Sequence, residues 1–519
     1  MCCIGEIRYA IACSAFLLIA SAGVSARSGD WPQWCGTDGK NMVSPEKGLP
    51  ETFSPGRKQS GEGTVDLASA TNVKWGVKVG TGFYSTPTIV GGKIYLGGLD
   101  GEDGIFVCFD EATGKRLWQW RAAPCQVPGK IDGFSIGFAV IPQQIGVCSS
   151  AVVENDRVYF VSNRCELVCL DAASVSETGE PRTVWKLDMR EQLGVFPCDA
   201  ANGSPLLIGD LLYVTTSNGV DRNTFSDASK EKERKIPAPN APNFIVVDKR
   251  DGRVVATDDA PILARMLHGQ WSSASLGVVD DRKLVFYGGG DGILYAFEAL
   301  SQVPEKPAKL KTVWSFDCIP NEYKQTGEYD WITHFCLGDK RVKGTANKHD
   351  GAFVGMSEII ATPVFLDNRI YVAIGRDPAH GRGRGALHCI DARGQGDITS
   401  SGKIWAYQGL DRTISTVSVA DGLVYISDVG GRLHCLDAAT GRCFWIHDTN
   451  CETWGSTLVA DGKVYMPTAK GIWVLAAGNQ LKVLSHISLG GRVYSSPVAA
   501  NRTLYVATTQ GWLWAVCSK

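Results

Sequence analysis

The 519-residue chain has no excess of charge of either sign: 52 basic and 54 acidic side chains leave a formal net charge of −2. Such a surface offers no counter-charge to a polyanion, so nucleic acid is excluded as a partner. Beyond residue 26 no stretch approaches the roughly twenty consecutive apolar residues of a membrane span. The 8 histidines never stand in His-x-x-x-His spacing and the 17 cysteines never in Cys-x-x-Cys spacing, which gives a structural zinc little support. Cys-x-x-Cys-His is missing too, so no attached c-type haem is available.

What is present points to β-structure. The 59 glycines, 15 tryptophans and 15 tyrosines suit an all-β protein with many turns, because Gly supplies positive φ and aromatic rings fit pleated surfaces. A chain of 519 residues exceeds the usual single domain, which favours several domains or one large repeat array.

The start, MCCIGEIRYAIACSAFLLIASAGVSARS, sets Arg8 before a mostly apolar run from Tyr9 to Ala22, followed by the small residues Val24-Ser25-Ala26. This predicts a signal peptide over 1–26, cleaved near Ala26, and a periplasmic or secreted protein. Cys13 lies inside the apolar run, with Cys2 and Cys3 before it, which disfavours lipidation. Export permits disulfides. Five cysteines, however, share one repeat position: Cys108, Cys169, Cys389, Cys435 and Cys517. Copies of one repeat position sit in separate units, so these read as small buried hydrophobes. Cys165 and Cys169, four apart on a predicted strand, would stand about 13 Å from each other, beyond disulfide reach. Pairings among the other cysteines stay open.

Self-comparison is the most informative operation. A short Ser/Gly/Ala start recurs as YSTPTI (84–89), CSSAVV (148–153), NGSPLL (202–207), WSSASL (271–276), IATPVF (360–365), ISTVSV (414–419), WGSTLV (454–459) and YSSPVA (494–499). After each come an Asn/Asp/Gly turn and an alternating strand such as DGLVYIS, which is a hairpin signal. A third strand carries Cys/Ala-x-Asp, and a fourth ends near Trp118, Trp185, Trp314, Trp405 or Trp445. Four short antiparallel strands every forty residues or so describe a propeller blade. The eighth unit stops after its third strand, but NVKWGVKV (72–79) precedes the first start and places Trp75 at the blade-end position. The expected fold is therefore an eight-bladed β-propeller over 72–519, its ring closed by an N-terminal strand that removes an open sheet edge. Residues 27–71 form an arm, and trimming 27–40 is expected to matter far less than losing 72–79.

The element DEATGKRLW (110–118), repeated as DAATGRCFW (437–445), reads as structural. Asp110 or Asp437 hydrogen-bonds the following turn, Gly114 or Gly441 supplies its φ, and the Trp fills the wedge between blades. This repeat resembles the pyrroloquinoline-quinone-like (PQQ-like) repeat with its tryptophan-docking motif, from about residue 72 to the end. The opening WPQWCGTDGKNMVSPEKGLPETF, together with VSNRCELVCLD, HGQWSSAS and GRDPAHGRGRG, looks like a bacterial family of exported proteins carrying these repeats. Many of that family have Arg before the Gly where this chain has Cys35. The resemblance implies the quinoprotein dehydrogenase propeller fold. Its enzymes use a bound quinone, a Ca2+ held by Glu and Asn, an Asp base and a disulfide between adjacent cysteines. Here the adjacent pair, Cys2 and Cys3, leaves with the signal peptide, and no calcium cage is placed, since most Asp and Asn occupy turn positions.

Three insertions break the period near 121–146, 221–240 and 319–357. The second is charged and reads as a solvated loop; the first and third contain Phe, Trp and Ile and read as caps, where binding is usually placed. In GRDPAHGRGRG (375–385) no helix follows to make a phosphate loop, although Arg382 and Arg384 suit an anion. His388 and His434, in LHC at one repeat position, read as strand residues rather than ligands.

The register of the starts also locates a candidate site. Because a blade's first strand lines the channel, the residue opening each start stands near one mouth: Tyr84, Cys148, Asn202, Trp271, Ile360, Ile414, Trp454 and Tyr494. Two residues earlier stand Glu358, Arg412, Glu452 and Arg492, and Gln270 adjoins Trp271. Aromatic rings with a few polar groups make a small-ligand pocket, and Arg412 with Arg492 would clamp a carboxylate. The competing reading is a plug of packed side chains. The favoured function is a non-catalytic scaffold binding a protein, glycan or small molecule, without cofactor and as a monomer. The alternatives are a PQQ- and Ca2+-dependent oxidoreductase acting on an alcohol or sugar, and an outer-membrane protein assembly scaffold.

Overall fold

The computed structural model describes residues 29–58, 63–124, 130–131, 134–135, 145–198, 200–220, 236–266, 269–324, 358–375 and 384–518. Eight sheets follow one another in chain order, each built on four antiparallel strands that step outward from the channel, and three of them gain a short fifth strand in parallel. Blade one comprises Thr88–Val90, Lys93–Asp100, Asp103–Asp110 and Arg116–Ala122. Blade eight supplies Val498–Ala500, Thr503–Ala507 and Trp512–Val516, and Val73–Lys78 completes it, with Trp75 opposite Ala515. The eight-bladed ring closed by an N-terminal strand is therefore the observed fold.

The inner hairpins turn where the sequence placed Asn, Asp and Gly. In blade six Asp421 and Gly422 take φ of 50° and 75°, as the tight turn requires. Second and third strands are buried on both faces by neighbouring blades, so their alternating apolar residues fill the wedges. Cys108, Cys169, Cys389 and Cys435 lie in those wedges as buried thiols. Cys165 is a correction: with φ 60° it stands in the turn before Glu166–Val175, not on the strand.

The tryptophan element fastens one blade to the next. Trp75, Trp185, Trp314 and Trp405 each donate their indole N–H to the carbonyl just after the following blade's Asp: Glu111, Lys249, Ala392 and Ala438, at 2.8–3.1 Å. For Trp75, Trp185 and Trp405 the Gly of that blade's turn lets the indole lie flat on it. A Cβ on Gly441 would meet Trp405 at 2.6 Å, and one on Gly114 would meet Trp75 at 2.7 Å. Within the blade a second-strand aromatic ring supports the indole, as Tyr371 does Trp405 and Tyr425 does Trp445, at ring separations near 6.0 Å, and as Phe286 does Trp314 at 5.7 Å. Trp118 departs from the scheme. Blade two's third strand runs on to Val175, its turn glycine, Gly179, has no indole against it, and the Trp118 indole N–H is buried without a hydrogen-bond partner.

Around the channel a second device closes the ring. The third residue of all eight starts is a hydroxyl residue: Thr86, Ser150, Ser204, Ser273, Thr362, Thr416, Ser456 and Ser496. The backbone N–H of one donates to the hydroxyl of the next: Thr86 to Ser150, Ser150 to Ser204, and Ser204 to Ser273. Thr362 continues to Thr416, Thr416 to Ser456, Ser456 to Ser496 and Ser496 back to Thr86, all at 2.9–3.1 Å. At the remaining junction the Thr362 hydroxyl accepts instead from the indole of Trp34, at 2.9 Å.

That indole belongs to the arm, which corrects the expectation that residues 27–40 matter little. Residues 31–44 pass across the far end of the channel and meet the blades in turn. Trp31 exchanges two backbone hydrogen bonds with Ile89, and the Pro32 carbonyl accepts from Val153 N–H. The carbonyls of Asp38, Gly39 and Met42 accept from Leu276, Phe365 and Val459. The Asn41 side chain pairs with both backbone groups of Val419, and the Ser44 hydroxyl donates to Ala499. The partners stand at one repeat position, five residues after each start, in seven of the eight blades; blade three is passed over. An inner strand leaves its channel-side backbone groups unpaired, and the arm satisfies them. Trp31, Cys35, Lys40 and Met42 are buried beneath it.

Candidate functional site

With the arm at one end, the start residues gather at the other, where fourth strands return to first strands and second strands turn into third. The predicted insertions emerge at this end but fall largely outside the described residues, as does most of GRDPAHGRGRG, Arg382 included.

Tyr84, Trp454 and Tyr494 come together on three consecutive blades, seven, eight and one. Trp454 and Tyr494 stack with centroids 4.1 Å apart and planes at 6°, and Tyr84 stands 6.3 Å from each. Glu452 ties the pair from below, accepting the Trp454 indole N–H and the Tyr494 hydroxyl, both at 2.8 Å. Arg492 is exposed, with its guanidinium 5.8 Å from the Tyr494 ring centroid and 3.4 Å from its hydroxyl. Burial and the adjoining Glu452 carboxylate hold the Tyr494 phenol protonated well above its usual range. Burial likewise pushes Tyr84 up, with Cys148 beside it. The result is a half-buried aromatic wall with a carboxylate behind it and an exposed cation on its rim.

The other candidates divide. Asn202 lies half-buried at the mouth, its side-chain carbonyl lacking a hydrogen-bond partner. Gln270 and Trp271 are built into the wall between blades three and four. Gln270 donates to Asn243 Oδ1 at 2.8 Å and accepts from Tyr287, while Trp271 donates to the carbonyls of Cys198 and Ala200. Arg412 is only 1% exposed. It does not stand as an exposed twin to Arg492, as the expected two-arginine clamp would need. Sequence reasoning overlooked the hydroxyl ring and the contacts of the arm with the blades. The signal for the first was a Ser or Thr at the third place of every start; the arm has no periodicity to find.

Residues 383–517 match the family model described as outer membrane protein assembly factor BamB. No curated protein matches the chain. Among solved structures, a quinohemoprotein alcohol dehydrogenase from Comamonas testosteroni aligns with a TM-score of 0.56 at 14% identity, covering 95% of this chain and 82% of its own. A europium-containing methanol dehydrogenase gives 0.56 at 13%, covering 93% and 90%. BamB from Moraxella catarrhalis gives 0.52 at 13%, covering 85% and 98%. This chain shares the β-propeller fold of these structures.

At such identities the likeness is one of fold, and chemistry has to be argued from the site. The resemblance to PQQ-like repeats implies a quinone beside a cation. A cation of that kind asks for several converging oxygen ligands. Among the described residues of this propeller no group of three or more His, Cys, Asp or Glu is placed to hold a metal. The one carboxylate at the aromatic wall, Glu452, already accepts two hydrogen bonds. The described residues do not fit that pair of groups, and no step is derived through them. Among the same residues no helix is long and apolar enough to cross a membrane.

Proposed function

We propose that this PQQ-like propeller is an exported binding protein whose ligand seat is the mouth formed by Tyr84, Trp454, Tyr494, Glu452 and Arg492. The observation that carries this reading is the convergence of three aromatic rings, a carboxylate and an exposed arginine on consecutive blades. Flat apolar rings edged by hydrogen-bonding groups suit a glycan or a small molecule with one apolar face and a polar or anionic edge. The closed ring supports the seat rigidly, so binding needs little reorganisation. Catalysis is not part of the reading.

The test is a screen of glycans and small carboxylates by tryptophan fluorescence, followed by Trp454→Ala and Arg492→Ala. Both variants should weaken a hit about tenfold or more, the worth of one good polar or stacking contact, and Arg492→Ala should melt with the wild type. Unchanged affinity in both would remove the mouth from consideration. A second reading, an envelope protein-assembly scaffold, is favoured by the match of residues 383–517 to the BamB family description. Crosslinking in the exporting cell distinguishes it, since a scaffold would capture an assembly partner whether or not Trp454 is intact. A quinone-dependent oxidoreductase would instead take up the quinone with Ca2+, seen by its absorbance and dye-linked oxidation. Sequencing the mature N-terminus tests cleavage near Ala26.

A further inference from the structure

The polar groups of the mouth decide what kind of ligand it can take. The Trp454 indole N–H and the Tyr494 hydroxyl both donate to Glu452 at 2.8 Å, so neither has a proton to offer a ligand, and the carboxylate is closed behind them. What the wall presents is ring faces, whose negative quadrupole attracts partly positive C–H groups rather than a second electron-rich ring. Arg492 is exposed, and among the described residues its side chain makes one hydrogen bond, at 3.4 Å to the Tyr494 hydroxyl. Most of the five guanidinium N–H donors are left for an acceptor from outside.

The positive charge does not end at the channel. From Arg492 a lane of cations runs outward over the mouth end of blade eight. Lys58, from the segment ahead of the propeller, lays its ammonium 5.0 Å from the Trp512 ring centroid and 3.5 Å from the Leu489 carbonyl, beside Gly490 in the loop that leads to Arg492. Lys78 ends the outer strand Val73–Lys78 directly opposite Trp512, so the two side chains share one face of the sheet. On the blade-seven side stands Lys470, next to Ala469, whose backbone N–H donates to the Glu452 carbonyl. All four cations are exposed, and none has an ion pair among the described residues. Residues 76–82, 468–471, 488–494 and 508–512, which carry or border the lane, include no Asp or Glu. Burial, and after it the like charge of Lys78, hold the Lys58 ammonium below its ordinary value, a repulsion that an anion lying between them would relieve. In a chain whose net charge is −2, a lane of one sign beside the binding wall is complementary to an anion.

Taking the mouth as the seat proposed above, we infer that its ligand is an acidic glycan, a chain of uronic acid residues. One sugar lays its C–H face on Trp454 and gives its carboxylate to Arg492, whose planar fork matches the two carboxylate oxygens. The carboxylates of the sugars that follow lie over Lys58 and Lys78. A neutral sugar would leave Arg492 without its acceptor. An aromatic acid would set a second electron-rich ring against Trp454, and a quaternary ammonium would meet the charge of Arg492.

The experiment is titration of the full-length protein with galacturonic acid, its linear oligomers and the methyl esters of the same oligomers, followed by tryptophan fluorescence and calorimetry. The acid oligomers should bind with an affinity that rises with length and falls with salt, and the esters, which keep the sugar faces and lose the charges, should bind about tenfold more weakly or worse. Arg492→Gln should cost about tenfold on every acid ligand. Lys58→Gln and Lys78→Gln should each cost about two- to fivefold on the long oligomers, the worth of an exposed ion pair, and progressively less on shorter ones. Lys482 is exposed at the arm end of blade seven, and Lys482→Gln should leave binding unchanged. Acid oligomers that do not bind, esters that bind as well as the acids, or long acid chains indifferent to Lys58 and Lys78 overturn the inference while leaving the mouth as a seat for another ligand. Dextran sulfate bound more tightly than the oligouronate does the same, since charge alone would then be read. Acid binding that survives Trp454→Ala unchanged removes the mouth reading as well.

Discussion

Two glycines of blade six allow the tryptophan dock to be weighed separately from backbone strain. Gly441 and Gly422 have φ of 72° and 75°, so alanine at either meets the same left-handed backbone, at about 1–2 kcal/mol. Their surroundings differ. A Cβ at Gly422 meets nothing within 4 Å, whereas one at Gly441 meets the Trp405 indole at 2.6 Å. The indole is held in place by its hydrogen bond to Ala438 and by Tyr371, so it has little room to retreat. Overpacking of this kind adds about 1–3 kcal/mol. Gly441→Ala should therefore destabilise by about 2–5 kcal/mol and Gly422→Ala by about 1–2 kcal/mol. Urea unfolding followed by tryptophan fluorescence reads the difference. A double-mutant cycle completes the argument: in a Trp405→Ala background the extra loss at Gly441 should vanish. Equal losses for the two glycine variants, or an excess at Gly441 that survives without Trp405, would refute the claim that the element is a dock between blades.

Trp314→Phe should cost about 1–3 kcal/mol more than Trp118→Phe, because only the former strands a buried carbonyl, Ala392 O; equal melting shifts would contradict this. Trp31→Ala should destabilise by about 3–5 kcal/mol, and deletion of residues 29–44 should rival deletion of 72–79, whereas an arm-less protein that melts like the full chain would show that the far end needs no cover. The two repeat-related histidines should titrate with opposite sign. His434 is raised above its ordinary 6.5, so its contribution is complete below that pH and is lost as pH rises through the folded value. His388 is held neutral, so its contribution is complete above 6.5 and is lost as pH falls toward about 4. Unfolding midpoints of His434→Gln and His388→Gln between pH 4 and 9 check both: the gap to wild type should shrink with rising pH for the first and with falling pH for the second.

Blade number, register and closure were legible in the chain because they are local and repeated. Eight starts, eight hairpins and a stray strand around Trp75 state the arithmetic of the ring, and Asp110 and Gly114 state their own turn. From the same register Tyr84, Trp454, Tyr494, Glu452 and Arg492 could be assigned to one mouth. Which of the mouth residues meet was a matter of packing. Trp271 and Trp454 hold the same repeat position, yet one is fixed to the carbonyls of Cys198 and Ala200 and the other stacks on Tyr494. Arg412 and Arg492 likewise share a position, one buried and one exposed. A repeat fixes where a side chain begins, while its neighbours in the next blade and in the insertions decide whether it ends in water. The hydroxyl ring and the contacts of the arm lay beyond the sequence for a related reason. Each joins residues from different blades, such as Ser496 with Thr86 or Trp31 with Ile89, that become neighbours only when the ring closes. Local periodicity determined the blades; the long-range closure of the ring decided which polar groups would satisfy one another.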